Sequence, residues 1–321
     1  MDALIQEKVV TSNVDASGLR EMLRAVMRIR MVEERIVDLY PEQEIRCPVH
    51  LSIGQEAVAV GVCKALALED AVMSGHRAHA HYLAKGGDMK RMFAEMYGKE
   101  TGCCRGRGGS MHLIDLDANF LGSTPIVGGT IPVATGVAWG YKMQKKQAVV
   151  VVFLGEGATE EGVWHESVNF AQLHALPIIY VCENNMYSVY TPLSSRQPSR
   201  KISEIAQAHG LKTFTGDGND VASVFSMSQE ARAHALSGEG PVFMELATYR
   251  WREHCGVNFD NDIGYRTEEE FAQWREMDPL EHILKLVNFK EKDVLEMRTE
   301  ILGEIDDAVM FAKNSPFPVS L

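Results

Sequence analysis

Two apolar runs in the chain each lead into residues that carry oxygen ligands. The run 149–154 is followed by Gly155-Glu156-Gly157, and the run 177–181 comes shortly before Asn184-Asn185. Because ligands in parallel α/β sheets gather beyond the carboxyl ends of the strands, we expect Glu156 and Asn185 to lie close together. A carboxylate and an amide oxygen suit Mg²⁺, which also accepts phosphate oxygens. The spacing therefore predicts a site for a hard cation that holds a diphosphate.

A second triplet of the same form serves as an internal comparison. Gly216-Asp217-Gly218 repeats the glycine–acid–glycine pattern, but Leu246 stands 29 residues after its acid, where the first triplet has an asparagine. We interpret the second triplet as a turn. After the first, Gly157 and Ala158 are expected to present backbone N–H groups at the start of the next helix, where anions are favoured.

Helical and strand patterns alternate along the chain. The apolar periodicity predicts helices over 19–39, 53–68, 89–97, 130–143, 162–173 and 221–236, and strands over 71–73, 149–154, 178–182 and 241–246. Strands that alternate with helices indicate an α/β fold, with a doubly wound parallel sheet flanked by helices.

We expect one domain over residues 1–321, with two helical appendages. The first is an N-terminal helical arm over 1–45. The second is a C-terminal helical tail over 266–321, where capping boxes are predicted at Thr267 with Glu270 and at Asp278 with Glu281.

The composition argues against several classes of protein. The chain has 321 residues and a formal net charge of −12, which disfavours non-specific binding to nucleic acid. No apolar run reaches the roughly 20 residues of a membrane-spanning helix, and the N-terminus lacks the pattern of a signal peptide. The six cysteines include no CxxC pair, which is typical of free thiols in a reducing compartment. We therefore expect a cytoplasmic protein that binds neither nucleic acid nor membranes.

Besides Glu156 and Asn185, several short blocks have the form of one known family. They are His50-Leu51, Gly54-Gln55-Glu56-Ala57, His76-Arg77-Ala78-His79, Gly108-Gly109-Ser110-Met111-His112, Ile126-Val127-Gly128 and Thr248-Tyr249-Arg250. From about residue 20 to 313, the chain resembles the alpha subunits of thiamine diphosphate-dependent 2-oxo acid dehydrogenases. That group includes pyruvate, branched-chain 2-oxo acid and acetoin dehydrogenases. The resemblance implies the thiamine diphosphate-binding fold, with thiamine diphosphate and Mg²⁺ as cofactors.

The resemblance implies a set of residues around the metal ion and the diphosphate. Glu156, Asn185 and the backbone carbonyl of Tyr187 are the implied Mg²⁺ ligands. Arg77 is the implied partner of the diphosphate. His76 stands beside it, at a position where a tyrosine is common in the family.

Further residues are implied around the thiamine rings and the substrate. Ile126 is expected to wedge under the cofactor and to favour its bent shape, and the Val127 backbone to face the aminopyrimidine. Pro125 replaces a glycine of the pyruvate-type pattern. His50 and His254 match two active-site histidines, whose implied role is proton transfer and charge stabilisation at the cofactor. Weaker candidates are the histidines His79, His81, His112 and His165.

The resemblance also implies that this chain holds half of an active site. In such enzymes a glutamate on a pyrimidine-binding domain assists activation of the cofactor, and this chain is expected to be too short to contain that domain as well. A beta subunit is expected to supply it, in an assembly of two alpha and two beta chains. The apolar segment 131–138 suits that interface, and the alpha chain alone is expected to be inactive. A lipoyl acyltransferase is the expected acceptor partner.

The implied reaction is oxidative decarboxylation of a small, pyruvate-like 2-oxo acid, with acyl transfer to a lipoyl carrier. His50 favours the pyruvate-type pocket. The blocks 54–61, His79-Ala80-His81 and Ala84-Lys85-Gly86 look closest to acetoin-type alpha subunits, so acetoin is the alternative substrate.

Two other functions stay open at this point. A split transketolase-like or acyl-transferring carboligase is suggested by Glu161-Gly162 with His165-Glu166 and by the loop 188–192. A non-catalytic scaffold is disfavoured by the intact Glu156 and Asn185.

The loops 188–200 and 252–264 lack periodicity and are expected to border the cofactor and to become ordered when it binds. Arg196, Arg200 and Lys201 either meet an anionic substrate or partner, or form a solvated basic face.

Overall fold

The N-terminal part of the described chain is a long amphipathic helix. The computed structural model of the protein describes residues 14–286 and 289–319. Helix α1 (Ala16–Leu39) begins after Asp15, whose side chain accepts a hydrogen bond from the Gly18 N–H, and its buried face includes Met22, Val26 and Ile29. The predicted helix 19–39 is confirmed, with a start three residues earlier.

A parallel sheet lies at the centre of the molecule. Its six strands are β1 (Ala71–Ser74), β2 (Phe120–Ser123), β3 (Val150–Gly155), β4 (Ile178–Asn184), β7 (Lys212–Asp217) and β8 (Val242–Ala247). Two short strands, β5 (Tyr187–Ser188) and β6 (Thr191–Pro192), form a separate hairpin. The six strands of the main sheet run in the order β2-β1-β3-β4-β8-β7, and every neighbouring pair is parallel.

Helices cover the two faces of this sheet. They are α2 (Glu56–Lys64), α3 (His79–Lys85), α4 (Met89–Met96), α5 (Thr130–Met143), α6 (Gly162–Leu173), α7 (Leu193–Arg196), α8 (Ile202–Ala208), α9 (Val221–Ser237), α10 (Glu268–Arg275), α11 (Pro279–Leu286) and α12 (Glu291–Asn314).

Alternate residues of β3 enter two separate hydrophobic cores, because successive side chains of a strand point to opposite faces. Val151 and Phe153 pack with α1, α2, α4 and α9. Val150 and Val152 pack with α5, α6 and α8. A strand that is buried on both faces needs a continuous apolar sequence, and this explains the run that precedes Glu156. The predicted fold, a doubly wound α/β sheet flanked by helices, is confirmed.

Two strands of the sheet were not predicted. Strand β2 has the sequence FLGS, which is short and contains a glycine. Strand β7 lies at the edge of the sheet and is only partly buried, so its sequence KTFTGD lacks a continuous apolar run. The interpretation of Gly216-Asp217-Gly218 as a turn was therefore wrong in part, because Gly216 and Asp217 end β7.

The tail is helical in the described residues, but neither predicted capping box is complete. At the start of α11, the Asp278 side chain accepts from the Leu280 N–H and not from that of Glu281, and the Asp278 N–H bonds to the Arg275 carbonyl. Thr267 accepts a hydrogen bond from the Glu270 N–H at the start of α10. The reciprocal half of the predicted capping box is missing, because the Glu270 carboxylate accepts from the Tyr187 hydroxyl instead. Residues 1–13, 287–288 and 320–321 of the predicted arm and tail lie outside the described residues. No helix among the residues described is long and apolar enough to cross a membrane.

Candidate functional site

One cavity, of about 210 Å³, opens at the carboxyl ends of β1, β3 and β4. Its position follows from the topology, because loops that leave the carboxyl ends of neighbouring parallel strands enclose a crevice. Every predicted site residue lines it, namely His50, His76, Arg77, Ile126, Val127, Glu156, Gly157, Ala158, Asn185, Tyr187 and His254.

Oxygen atoms from β3 and β4 meet at one end of this cavity. The two strands are paired so that Gly155 lies opposite Glu183, which places Glu156 and Asn185 at neighbouring strand ends. The Asn185 amide is oriented by two contacts, since its Oδ1 accepts from the Tyr187 N–H at 3.3 Å and its Nδ2 donates to the Gln55 side chain at 3.3 Å. Glu156 is only 2% exposed, and burial raises the pKa of its carboxyl group. A carboxylate, an amide oxygen and a nearby backbone carbonyl form a donor set that fits a hard cation.

The backbone around Gly157 differs from the expectation. Gly157 and Ala158 lie in a 3₁₀ turn, Glu156–Glu160, and α6 begins only at Gly162. Their N–H groups are therefore not at the start of the helix, as predicted. Gly157 has another physical role, because a Cβ atom there would lie 2.9 Å from Oγ of Ser188. The glycine allows the β5–β6 hairpin to approach the end of β3.

Arg77 is a buried cation that binds two backbone carbonyls. Its guanidinium donates to the Leu51 carbonyl at 2.6 Å and to the His254 carbonyl at 3.3 Å. Among the residues that the structure describes, no carboxylate forms an ion pair with Arg77. Burial and the nearby Arg250 lower its pKa to about 10. A buried guanidinium at a cavity wall that forms no ion pair with a described carboxylate favours an anionic ligand.

His50, His76 and His254 form a cluster beside Arg77. Their ring centroids are 4.6 Å apart for His50 and His76, 5.1 Å for His50 and His254, and 5.2 Å for His76 and His254. Burial, followed by the charge of Arg77, lowers the pKa of His50 to about 2, that of His76 to about 4 and that of His254 to about 3. The three imidazoles are therefore neutral at pH 7, and each offers one donor and one acceptor.

Ile126 and Val127 form an apolar lip at the mouth of the cavity. They are 66% and 49% exposed, which is unusual for large apolar side chains. A tight turn holds them there, with Gly128 at a φ of 76° and the Gly129 N–H bonded to the Ile126 carbonyl at 2.9 Å.

The comparison with known proteins agrees with this geometry. Residues 24–320 match the family described as "Dehydrogenase E1 component". This chain belongs to that family. The resemblance found from the sequence is thereby confirmed, and E1 dehydrogenases use thiamine diphosphate.

Similar proteins include alpha subunits with two different names. The subunit alpha of an acetoin:2,6-dichlorophenolindophenol oxidoreductase from Bacillus subtilis (strain 168) is 37% identical over 301 residues, or 92% of this chain and 89% of the relative. The pyruvate dehydrogenase E1 component subunit alpha of Rickettsia felis is 34% identical over 297 residues, or 91% and 90%. A mitochondrial pyruvate dehydrogenase E1 component subunit alpha-1 of Oryza sativa subsp. japonica is 37% identical over 305 residues, or 94% and 77%.

The cavity of this E1 component chain contains polar residues that the sequence did not assign to the site. His81 lies between two of them, with its Nδ1 2.8 Å from Ser74 Oγ and its Nε2 3.2 Å from a Glu183 carboxylate oxygen. Its ring stacks on Phe153, at a centroid distance of 3.8 Å. Gln55, which holds the Asn185 amide, also lines the cavity. Gln55 belongs to the recognised block 54–57, and Glu183 stands next to Asn184-Asn185; these positions were the available signal.

The basic residues of the loop 188–200 have separate environments. Arg196 does not form a solvated face, because its guanidinium binds the carboxylates of Glu156 and Glu160. Arg200 bonds to the Gln197 side chain on the surface.

Other candidates lie outside the cavity. Asp217, in the comparison triplet, accepts hydrogen bonds from the backbone and side chain of Asn219. His79 is buried between Glu33 and Ser110. These contacts are structural, and neither residue lines the site.

Proposed function

We propose that this chain is the alpha subunit of a thiamine diphosphate-dependent dehydrogenase that oxidatively decarboxylates a small 2-oxo acid. A lipoyl carrier is the proposed acceptor of the acyl group. One observation carries the proposal: a cavity at the strand ends brings together oxygen ligands, neutral histidines, and a buried arginine that pairs with no carboxylate of the described residues.

The oxygen-rich end of the cavity is the proposed Mg²⁺ and diphosphate site. Glu156, Asn185 and the Tyr187 carbonyl would hold Mg²⁺, because these hard donors suit that ion. Arg77 would neutralise the diphosphate, with help from the backbone around Gly157. When bound, thiamine diphosphate supplies the electron sink that cleavage next to a carbonyl group requires.

His50 and His254 are the proposed catalytic residues. Because their lowered pKa values leave both rings neutral at pH 7, each can donate a hydrogen bond to a substrate oxygen or accept a proton. The low exposure of the cavity wall strengthens such contacts, since water competes less for them. Ile126 and Val127 are the proposed apolar support of the thiamine rings.

A beta subunit is the proposed partner, and it would cover the apolar surface beside the cavity. On α5, which follows Ile126 and Val127 in the chain, Val133, Trp139 and Met143 are 53%, 41% and 73% exposed. Exposed apolar side chains that are contiguous with a site commonly mark an interface. Gly136 and Gly140 lie on the same helix with free space around them, which permits close approach of another chain.

Acetoin is the second candidate substrate. His81, from the block that looks closest to acetoin-type subunits, lines the cavity. The relative whose printed name includes acetoin is 37% identical to this chain, as is one of the pyruvate dehydrogenase subunits. Acetoin carries no carboxylate, so a cavity wall made of neutral imidazoles is compatible with it.

Co-expression with a beta subunit, followed by steady-state assays, tests the proposal. Reduction of an artificial electron acceptor is measured with pyruvate, branched-chain 2-oxo acids and acetoin. Turnover of a 2-oxo acid supports the main proposal, whereas turnover of acetoin alone supports the second candidate. A complex that binds thiamine diphosphate but oxidises none of these substrates would overturn both. The complex carrying Glu156→Ala is the control for activity that does not depend on this site.

A further inference from the structure

Three imidazoles from distant parts of the chain meet in the cavity. His50 lies in the loop before α2, His76 follows β1, and His254 lies in the loop after β8. One nitrogen of each ring lies within 4.8 Å of one nitrogen of both other rings. His50 is 6% exposed, and among the described residues its buried Nδ1 has no hydrogen-bond partner.

We propose that His50, His76 and His254 form a binding site for a borderline divalent metal ion such as Zn²⁺ or Co²⁺. This site is made of different residues from the proposed Mg²⁺ site at Glu156 and Asn185. It does not depend on the proposed dehydrogenase activity, and its failure would leave that proposal intact.

The donor chemistry separates the two sites. Imidazole nitrogen suits Zn²⁺, Co²⁺ and Ni²⁺, whereas Mg²⁺ prefers oxygen. Three protein nitrogens with one open position is a common arrangement around Zn²⁺. With metal–nitrogen bonds of about 2.0–2.1 Å, the three nitrogens, now within 4.8 Å of one another, must approach to about 3.4 Å. The open position would face the cavity.

Two electrostatic effects act on this site in opposite directions. The nitrogen donors, which lie within 4.8 Å of one another, favour a metal ion. The charge of the neighbouring Arg77 repels a dication. We therefore expect Zn²⁺ to bind more weakly than it does in a structural zinc site.

Titration of the full chain with Co²⁺, after removal of metals by a chelator and without thiamine diphosphate, tests the proposal. The visible absorption of Co²⁺ reports its geometry and ligands. We expect one Co²⁺ per chain, displacement by Zn²⁺ and no displacement by excess Mg²⁺. His76→Tyr is expected to weaken Co²⁺ binding at least tenfold, because it removes one of the three nitrogens.

Two control variants separate this site from others. His165→Gln changes a histidine that pairs with His209 outside the cavity, and Glu156→Ala changes the proposed Mg²⁺ site. Both are expected to keep Co²⁺ affinity within about twofold of the unmodified chain. His76→Gln replaces His76→Tyr if thermal unfolding shows that the tyrosine variant does not fold.

The unmodified chain provides a test without any variant. With ¹⁵N-labelled histidine, Zn²⁺ is expected to shift the ring nitrogens of three residues. The proposal is overturned if Co²⁺ gives no saturable absorption change, if both His76 variants retain affinity, or if Glu156→Ala removes binding.

Discussion

The Arg196 guanidinium lies 2.5 Å from a carboxylate oxygen of Glu156, the residue proposed to bind Mg²⁺. Arg196 also pairs with Glu160, and its side chain is only 11% exposed. Arg196 is the last residue of α7, the short helix that directly follows the β5–β6 hairpin. Its ion pair with Glu156 therefore links this segment to the end of β3. If Glu156 binds Mg²⁺ as proposed, Arg196 and the metal ion compete for the same carboxylate.

Replacing Arg196 is expected to tighten Mg²⁺ binding. In the Arg196→Gln variant, Mg²⁺ does not have to break an ion pair between Glu156 and a guanidinium group before it binds. We therefore expect the Mg²⁺ affinity to rise about three- to tenfold, or about 1 kcal/mol. Isothermal titration with Mg²⁺ in the presence of thiamine diphosphate measures this change.

Arg200→Gln is the matched control for loss of a positive charge. Arg200 lies four residues further along the chain, and in the described structure its side chain bonds only to Gln197. Its replacement is expected to leave Mg²⁺ affinity unchanged. If Arg196→Gln weakens binding instead, Arg196 acts as a contact of the bound diphosphate and not as a competitor of the metal ion.

The two glycine–acid–glycine triplets provide a paired test of the Mg²⁺ site. Glu156→Gln is expected to weaken Mg²⁺-dependent binding of thiamine diphosphate at least about a hundredfold, or about 2.7 kcal/mol, because an anionic ligand is lost. Asp217→Asn, in the other triplet, is expected to have no effect on that affinity, because its side chain bonds to Asn219 outside the cavity. Equal effects of the two variants would contradict the assignment of Glu156.

The sequence was sufficient to place Glu156 and Asn185 together. Each follows a strand buried on both faces, and such strands have continuous apolar sequences that are easy to recognise. The parallel topology then puts their ends at one edge. Strand β7 was not predicted, because a partly buried strand at the sheet edge does not need a continuous apolar sequence.

Contacts between distant segments could not be predicted. The pairing of Arg196 with Glu156 depends on where the β5–β6 hairpin folds, and a hairpin of two-residue strands has no periodic signal. The approach of His76 to His50 and His254 likewise depends on three separate loops, one before α2, one after β1 and one after β8. The family resemblance indicated His50, His76 and His254 individually, but not that their rings would lie against one another.

The buried histidines are expected to make the fold sensitive to acid. The folded pKa of His50 is about 2, below the value of about 6.5 in an unfolded chain. Between these values the unfolded state binds more protons, so the stability that is present above pH 6.5 is lost as the pH falls. From about pH 7.5 to about pH 5.5, His50 alone is expected to lower the free energy of unfolding by about 1 kcal/mol.

Urea unfolding at both pH values measures this loss. His50→Gln is expected to lose about 1 kcal/mol less than the unmodified chain over the same interval. His112→Gln removes an exposed histidine and serves as the control. An unchanged pH dependence in His50→Gln would mean that His50 is not held in its neutral form.

The two glycines of the first triplet are expected to respond differently to a methyl group. A Cβ on Gly157 would lie 2.9 Å from Ser188 Oγ, whereas one on Gly155 would meet no atom within 4 Å. Gly157→Ala is therefore expected to displace the β5–β6 hairpin, to cost about 1–2 kcal/mol of stability, and to weaken Mg²⁺ binding through Tyr187. Gly155→Ala is the matched control and is expected to be neutral. Thermal unfolding and Mg²⁺ titration measure both effects.

A double variant separates a steric clash from a loss of backbone flexibility. In Gly157→Ala with Ser188→Gly, the nearest clashing atoms are removed, so most of the lost stability and Mg²⁺ affinity is expected to return. Strain in the 3₁₀ turn Glu156–Glu160 itself would persist in the double variant. Failure of the second substitution to restore either quantity would therefore show that Gly157 serves the conformation of this turn and not the approach of the hairpin.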